Sequence, residues 1–235
     1  MAKSTQEDLL YLSSSFSKIL KRSFGKGPET CSVSYKNNRL YVYMRKFITP
    51  AEEVLVENKS VNLAAMFRGA VINAVTEKFI PEVSKVLGMK VDHFYHDWNY
   101  HTNTGILLLE DGRNDEDLAI RDSILEDHLF KVIRHVSSHF HKVPSSIRVV
   151  KFTQNFCAVE CKKVLLYLES YLYENRNKDL LIKLSNEIKR GYTKYRNLFE
   201  DIFNRIIEDL FILWDYENDR NYLIFNFNKD YTTHP

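Results

Sequence analysis

The chain has 235 residues, 44% of them hydrophobic, with only seven Gly and five Pro. That length holds one large domain or two small ones, and that apolar content excludes a disordered chain. A formal net charge of +2 offers no strong field toward nucleic acid or a membrane, and no apolar run approaches the roughly 18 residues of a spanning helix.

Residues 5–23 repeat apolar side chains at helical spacing (Leu9, Leu12, Phe16, Leu20). Gln6, Glu7 and Asp8 interrupt this opening stretch, and no small-residue cleavage site follows, so no secretory signal is predicted. Gly25, Gly27 and Pro28 end the helix. Cys31, Val33 and Tyr35 alternate with polar residues as a half-buried strand does, Asn37-Asn38 supplies turn chemistry, and Leu40–Lys46 returns the hairpin. Thr49-Pro50-Ala51-Glu52 is a helix start with cap, first-turn proline and capping-box carboxylate. It predicts a short helix over 50–58. A long one follows over 61–87, its apolar face drawn through Leu63, Phe67, Ala70, Ala74, Phe79, Val83 and Leu87. Pro81 is expected to kink or split it, and Gly88 to stop it. A second hairpin is predicted over 90–100 and 104–110.

The acidic, polar stretch around 111–118 reads as a linker, placed at 113–119, after which the order begins again. A helix is expected over 120–140, strands near 146–151 and 155–162, a helical region over 164–206 broken around Asn175–Lys178, and a last hairpin over 207–216 and 221–228. The only two tryptophans, Trp98 and Trp214, lie 116 residues apart, each opening a Trp-Asn/Asp-Tyr triplet. Phe24 with Phe140, Lys26 with Lys142, Pro28 with Pro144 and Glu53 with Glu169 share that offset, and the predicted elements superpose without a gap. The pattern predicts an internal duplication: an α+β fold of two tandem helix-hairpin-helix-hairpin domains, 1–112 and 120–235. Each would be a four-stranded, mainly antiparallel sheet covered by helices, the two arranged as a pseudo-dimer.

Gly25-Lys26-Gly27-Pro28-Glu29-Thr30-Cys31 is similar to the glycine-lysine-glycine-proline-x-x-cysteine signature of the DUF2294, or MpsC-like, family. Ile48-Thr49-Pro50-Ala51-Glu52 resembles that family's leucine-threonine-proline-x-glutamate segment, and the Val91–His96 strand with the Thr102–Gly105 turn fits its closing hairpin. The resemblance covers residues 5–111. In the second half only Phe140, Lys142 and Pro144 survive of the first signature, and Val164-Leu165-Leu166 stands in for Ile48-Thr49-Pro50. The family name implies a component of a cation-translocating, membrane-potential-generating system, and hence an integral-membrane transport subunit as protein partner.

Candidate ligand or interface residues follow from these motifs. In the Gly25-Lys26-Gly27-Pro28 loop the glycines free backbone amides beside the Lys26 ammonium, although the helix end that points at them is the negative one, which favours a structural turn. Thr49, Pro50 and Glu52 are at a helix start. Trp98, Tyr100, Trp214 and Tyr216 suit either a stacking platform or core packing. Three groups have metal-ligating residue types: Asp92, His93, His96, Asp97 and His101; His135, His139 and His141; Cys157 and Cys161. Strand parity splits the first group, and the others lack further ligands, so no metal is expected. Three cysteines fit reduced thiols rather than a disulfide framework. No nucleophile, Walker or dinucleotide motif is present, which points to a non-enzymatic protein without a cofactor. Short, scattered basic stretches speak against nucleic acid. The expected function is a soluble cytoplasmic accessory or regulatory protein, peripheral to the inner face of a membrane; a homodimer is left open. The alternative is a small-ligand or anion sensor using the Gly25–Cys31 loop or a cleft between the copies.

Overall fold

A computed structural model describes residues 5–112 and 123–232. The chain forms two compact units, Met1–Glu116 and Asp117–Pro235. The linker expected at 113–119 and the start of the helix expected at 120 lie outside the described residues.

In the first unit, helix α1 (Gln6–Phe24) begins at a capping box of Thr5 and Asp8 and ends on Gly25 at φ 76°. Glycine adopts that left-handed conformation without a Cβ clash. Strands β1 (Thr30–Lys36) and β2 (Arg39–Arg45) turn through Asn37 and Asn38, both at positive φ. Then come α2 (Pro50–Glu57), α3 (Val61–Leu87), β3 (His93–Asn99) and β4 (Thr104–Glu110). The strands pair antiparallel in the order β1-β2-β4-β3. Leu12, Phe16 and Leu20 of α1 and Ile72, Val75, Phe79 and Val83 of α3 meet Leu40, Val42, Met44, Leu107 and Leu109 of the sheet. Each such buried side chain contributes about 1.5–3 kcal/mol.

The second unit runs α4 (Ser123–Phe140), β5 (Ser146–Phe152), β6 (Phe156–Lys162), α5 (Tyr167–Glu174), α6 (Lys178–Lys194), α7 (Arg196–Phe203), β7 (Arg205–Asp215) and β8 (Arg220–Thr232). Its sheet order, β5-β6-β8-β7, repeats that of the first unit, and Trp98 and Trp214 fall in the equivalent strands β3 and β7. Each unit is therefore a four-stranded antiparallel sheet with helices over one face, in an α+β fold with two similar halves.

Four expectations need correction. First, the halves do not align without gaps. A β-bulge between Val149 and Lys151 adds one residue to β5, so elements from β6 onward correspond at an offset of 117. The residue is lost again in the long helix. Residues 178–203 break at Tyr195, where the amide of Tyr195 bonds Tyr192 and that of Leu198 bonds Tyr195. These i→i+3 bonds tighten the helix. The segment is one residue shorter than the 27 of α3, and β8 returns to an offset of 116. Second, the partner of Glu169 is accordingly Glu52 rather than Glu53, and Leu165-Leu166-Tyr167 takes the place of Ile48-Thr49-Pro50. Third, α3 runs unbroken through Pro81.

The fourth concerns the buried face of α3. Ala64, Arg68, Ile72 and Val75 point inward, while Leu63, Phe67, Ala70 and Ala74 are exposed. The apolar face predicted for the first half of α3 is thus one position out of register, because a charged residue occupies the interior.

Candidate functional site

The carboxylate of Glu52 organises the first unit. It is the third residue of α2, where Thr49 caps the helix and Pro50 fits the first turn. Glu52 Oε2 accepts from the Thr49 amide at 2.9 Å and the Thr49 hydroxyl at 2.8 Å. Arg68 of α3 closes on it side-on: Nε donates to Oε1 at 2.6 Å, and Nη2 donates to Oε2. Both side chains are fully buried. Phe47, Phe24 and Trp98 surround the guanidinium, with ring centroids 3.9, 4.8 and 5.1 Å from its Cζ. Burial lowers the pKa of Arg68 from its ordinary value, while the hydrogen bond and charge of Glu52 oppose that. A buried ion pair of this geometry holds α2 against α3.

Trp98 closes the cluster. It pairs across the ladder with Gly105, and a Cβ at Gly105 would coincide with the Trp98 ring. The glycine lets the indole lie flat on the neighbouring strand. Phe47 meets the same ring at 4.9 Å. Burial holds His96, beside Trp98, down to about 4, with Asp97 opposing and Arg68 adding to the effect. Burial also raises the Tyr100 hydroxyl.

The loop before β1 is tied to this site. Lys26 Nζ donates to the Ile48 carbonyl at 2.7 Å, just ahead of the α2 cap. Asn103 Oδ1 accepts from the amides of Phe47 and Ile48, at 2.8 and 3.0 Å. Gly27 packs on α1, where a Cβ would lie 3.4 Å from Lys21 Cβ and the Ser17 carbonyl. The Lys26 ammonium thus braces the α2 entrance, in keeping with a structural turn rather than the alternative of an anion site.

The second unit rebuilds the device with other residues. Glu169, the third residue of α5, is buried and accepts from the Leu166 amide at 2.7 Å. Its partner is His141, whose Nε2 lies 2.9 and 3.0 Å from the two carboxylate oxygens. The counterpart of Arg68 is Ser185, whose Oγ accepts from Trp214 Nε1 at 2.8 Å. Asn221 stands opposite Trp214 where Gly105 stood. Without the glycine seat, Trp214 stacks on Tyr216, with centroids 5.6 Å apart, and meets His141 edge-on at 5.0 Å. Lys142 Nζ still braces the entrance of α5, donating to Leu165 O at 2.9 Å, and Asp219 Oδ1 accepts from the Leu165 amide as Asn103 does in the first unit.

Thr49, Glu52, Trp98 and Tyr100 therefore converge on one buried cluster, while Lys26 braces it through Ile48, Gly25 caps α1 and Gly27 packs on α1. Trp214 and Tyr216 belong to its counterpart rather than to a platform in solvent. Arg68 is the residue that spacing rules missed, yet it carries the only charge between Val61 and Thr76. His135 and His139 of α4 meet each other and the Tyr195 ring in edge-on or tilted contacts. Cys157 and Cys161 point into the core, where burial raises both thiols. Among the described residues no group of three or more His, Cys, Asp or Glu is placed to hold a metal ion, and no helix is long and apolar enough to cross a membrane.

Both units leave large apolar side chains in solvent at the same place. In the first these are Val54 of α2 with Leu63, Met66 and Phe67 of α3; in the second Tyr171 and Leu180 occupy the positions of Val54 and Leu63.

No curated protein and no solved structure matches the chain. Residues 9–109 match the family described as Na+-translocating membrane potential-generating system (MpsC), which spans the Glu52–Arg68 cluster and all four strands of the first sheet, and the first unit is thus an MpsC-family domain.

Proposed function

We propose that the chain is a non-enzymatic accessory or regulatory protein of a membrane cation or inorganic-carbon transport system, and that its second unit is a diverged copy of the family domain. One observation carries the reading beyond the family name. The family domain presents Val54, Leu63, Met66 and Phe67 to solvent, each between 43% and 55% exposed, on helices pinned together by the Glu52–Arg68 pair. A rigid helical pair with an exposed apolar surface suits a protein partner.

In this reading the protein is cytoplasmic and soluble alone, and an integral-membrane transport subunit recruits it through α2 and α3. Co-expression with such a subunit, followed by detergent extraction and affinity purification, tests it. The wild-type chain is expected to co-purify, and Met66→Glu to reduce its recovery at least about tenfold. Absence of wild-type recovery overturns the reading. The alternative of an anion sensor on the Gly25–Cys31 loop gains no support, because the Lys26 ammonium is engaged by the Ile48 carbonyl.

A further inference from the structure

Helices α2 and α5 occupy the same place on the same framework, so their outward surfaces can be compared residue by residue. Thr49, Pro50, Ala51 and Glu53 of the first unit become Leu166, Tyr167, Leu168 and Ser170 of the second. Three apolar side chains replace small or polar ones, and an outward carboxylate is lost. Tyr167 is 86% exposed, Leu168 60%, Tyr171 50% and Leu166 47%. Tyr167, Leu168 and Tyr171 form one stripe at i, i+1 and i+4. Glu169 breaks the stripe in sequence only, since its carboxylate points inward to His141.

Cations stand at both ends of this stripe. Lys162 and Lys163 precede it, Arg176 and Lys178 follow it, and all four are exposed. Only Lys163 has a nearby carboxylate among them in the described ion pairs, Asp219 at 4.0 Å. Besides the inward Glu169, the acidic residues in the same stretch are Glu174 and Asp179, and Asp179 faces Lys183 at 3.8 Å. The equivalent stretch of the first unit has cations at three of the same positions, Arg45, Lys46 and Lys59, but adds the exposed Glu53 and pairs Lys46 with Glu29. Lysine is depleted in protein interfaces, whereas leucine and tyrosine between cationic shoulders fit the headgroup boundary of an anionic bilayer.

We infer that α5 seats the chain peripherally on an anionic lipid bilayer. Leu166, Tyr167, Leu168 and Tyr171 enter the headgroup boundary, and Lys162, Lys163, Arg176 and Lys178 face the lipid phosphates. This goes beyond the protein partner proposed for α2 and α3 and uses the other unit.

The test is co-sedimentation of the full chain with extruded vesicles that contain no protein. One set is pure phosphatidylcholine and the other carries about one-third phosphatidylglycerol. The wild-type chain is expected to bind the anionic vesicles alone and to be released by salt. Leu168→Glu is expected to weaken binding at least about tenfold, and Lys162→Glu with Lys163→Glu to do so about as strongly. These positions are exposed, so circular dichroism should stay unchanged. Met66→Glu, on the first unit, should bind vesicles normally. Three results overturn the inference: no partition onto anionic vesicles at low salt, equal loss from Met66→Glu, or no loss from Leu168→Glu. Because these vesicles lack any transport subunit, either proposal can fail while the other stands.

Discussion

Glu52 and Glu169 are the third residues of equivalent helices, both buried, and each is met by a nitrogen-bearing side chain from a different element. Arg68 reaches Glu52 from the following helix, and His141 reaches Glu169 from the loop after α4. The carboxylate is common to both units, while its side-chain partner has changed chain segment.

Removal of Arg68 leaves Glu52 buried without its cation. Arg68→Leu is expected to cost the first unit about 3–5 kcal/mol. In the double variant Arg68→Leu, Glu52→Gln, most of that loss should return, since no bare charge remains inside. Urea unfolding followed by Trp98 fluorescence in a Trp214→Phe background reads the first unit alone.

Gly105 has no room for a side chain under Trp98. Gly105→Val should destabilise the first unit by about 1–3 kcal/mol or more and change the Trp98 emission. Asn221→Val, at the same ladder position in the second unit, should cost less, because Trp214 stacks on Tyr216 instead.

His96 gives the first unit an acid limit. Its folded value of about 4 lies below the ordinary 6.5, so the unfolded chain takes up a proton that the folded one refuses. The stability tied to neutral His96 is complete above the unfolded pKa and drains as pH falls toward the folded one. Unfolding midpoints at pH 7 and about pH 4.5 should differ more for the wild-type chain than for His96→Leu.

Lys26→Met and Lys142→Met should each cost their own unit about 1–2 kcal/mol, through the lost charged hydrogen bond to a carbonyl. Matching losses in the two units, measured by the two tryptophans separately, are the expected outcome. A loss confined to one unit would show that the brace is not shared.

Much of this architecture is legible in the chain. Thr49-Pro50-Ala51-Glu52 announces a helix start because its cap, proline and carboxylate act locally, and Asn37-Asn38 announces a turn for the same reason. The spacing of Trp98 and Trp214 finds equivalent strands. Long-range chemistry is less visible. The buried face of α3 escapes a periodicity that counts apolar residues, because Arg68 lies inside only through Glu52, sixteen positions earlier in sequence. The bulge near Val150 and the tightened turn at Tyr195 cancel in length, so a gapless alignment hides both and pairs Glu169 with the wrong neighbour.

Both units run on one plan, with a buried helix-start carboxylate that a side chain from either segment can satisfy. The most direct test of that plan lies in the second unit, with Trp214 emission read in a Trp98→Phe background. His141→Ala should lower the urea midpoint by about 2–4 kcal/mol equivalent. Adding Ser185→Arg, which places an arginine where Arg68 stands in the first unit, should recover at least about half of that loss. If the arginine recovers nothing, or deepens the loss, the two sites do not share one plan.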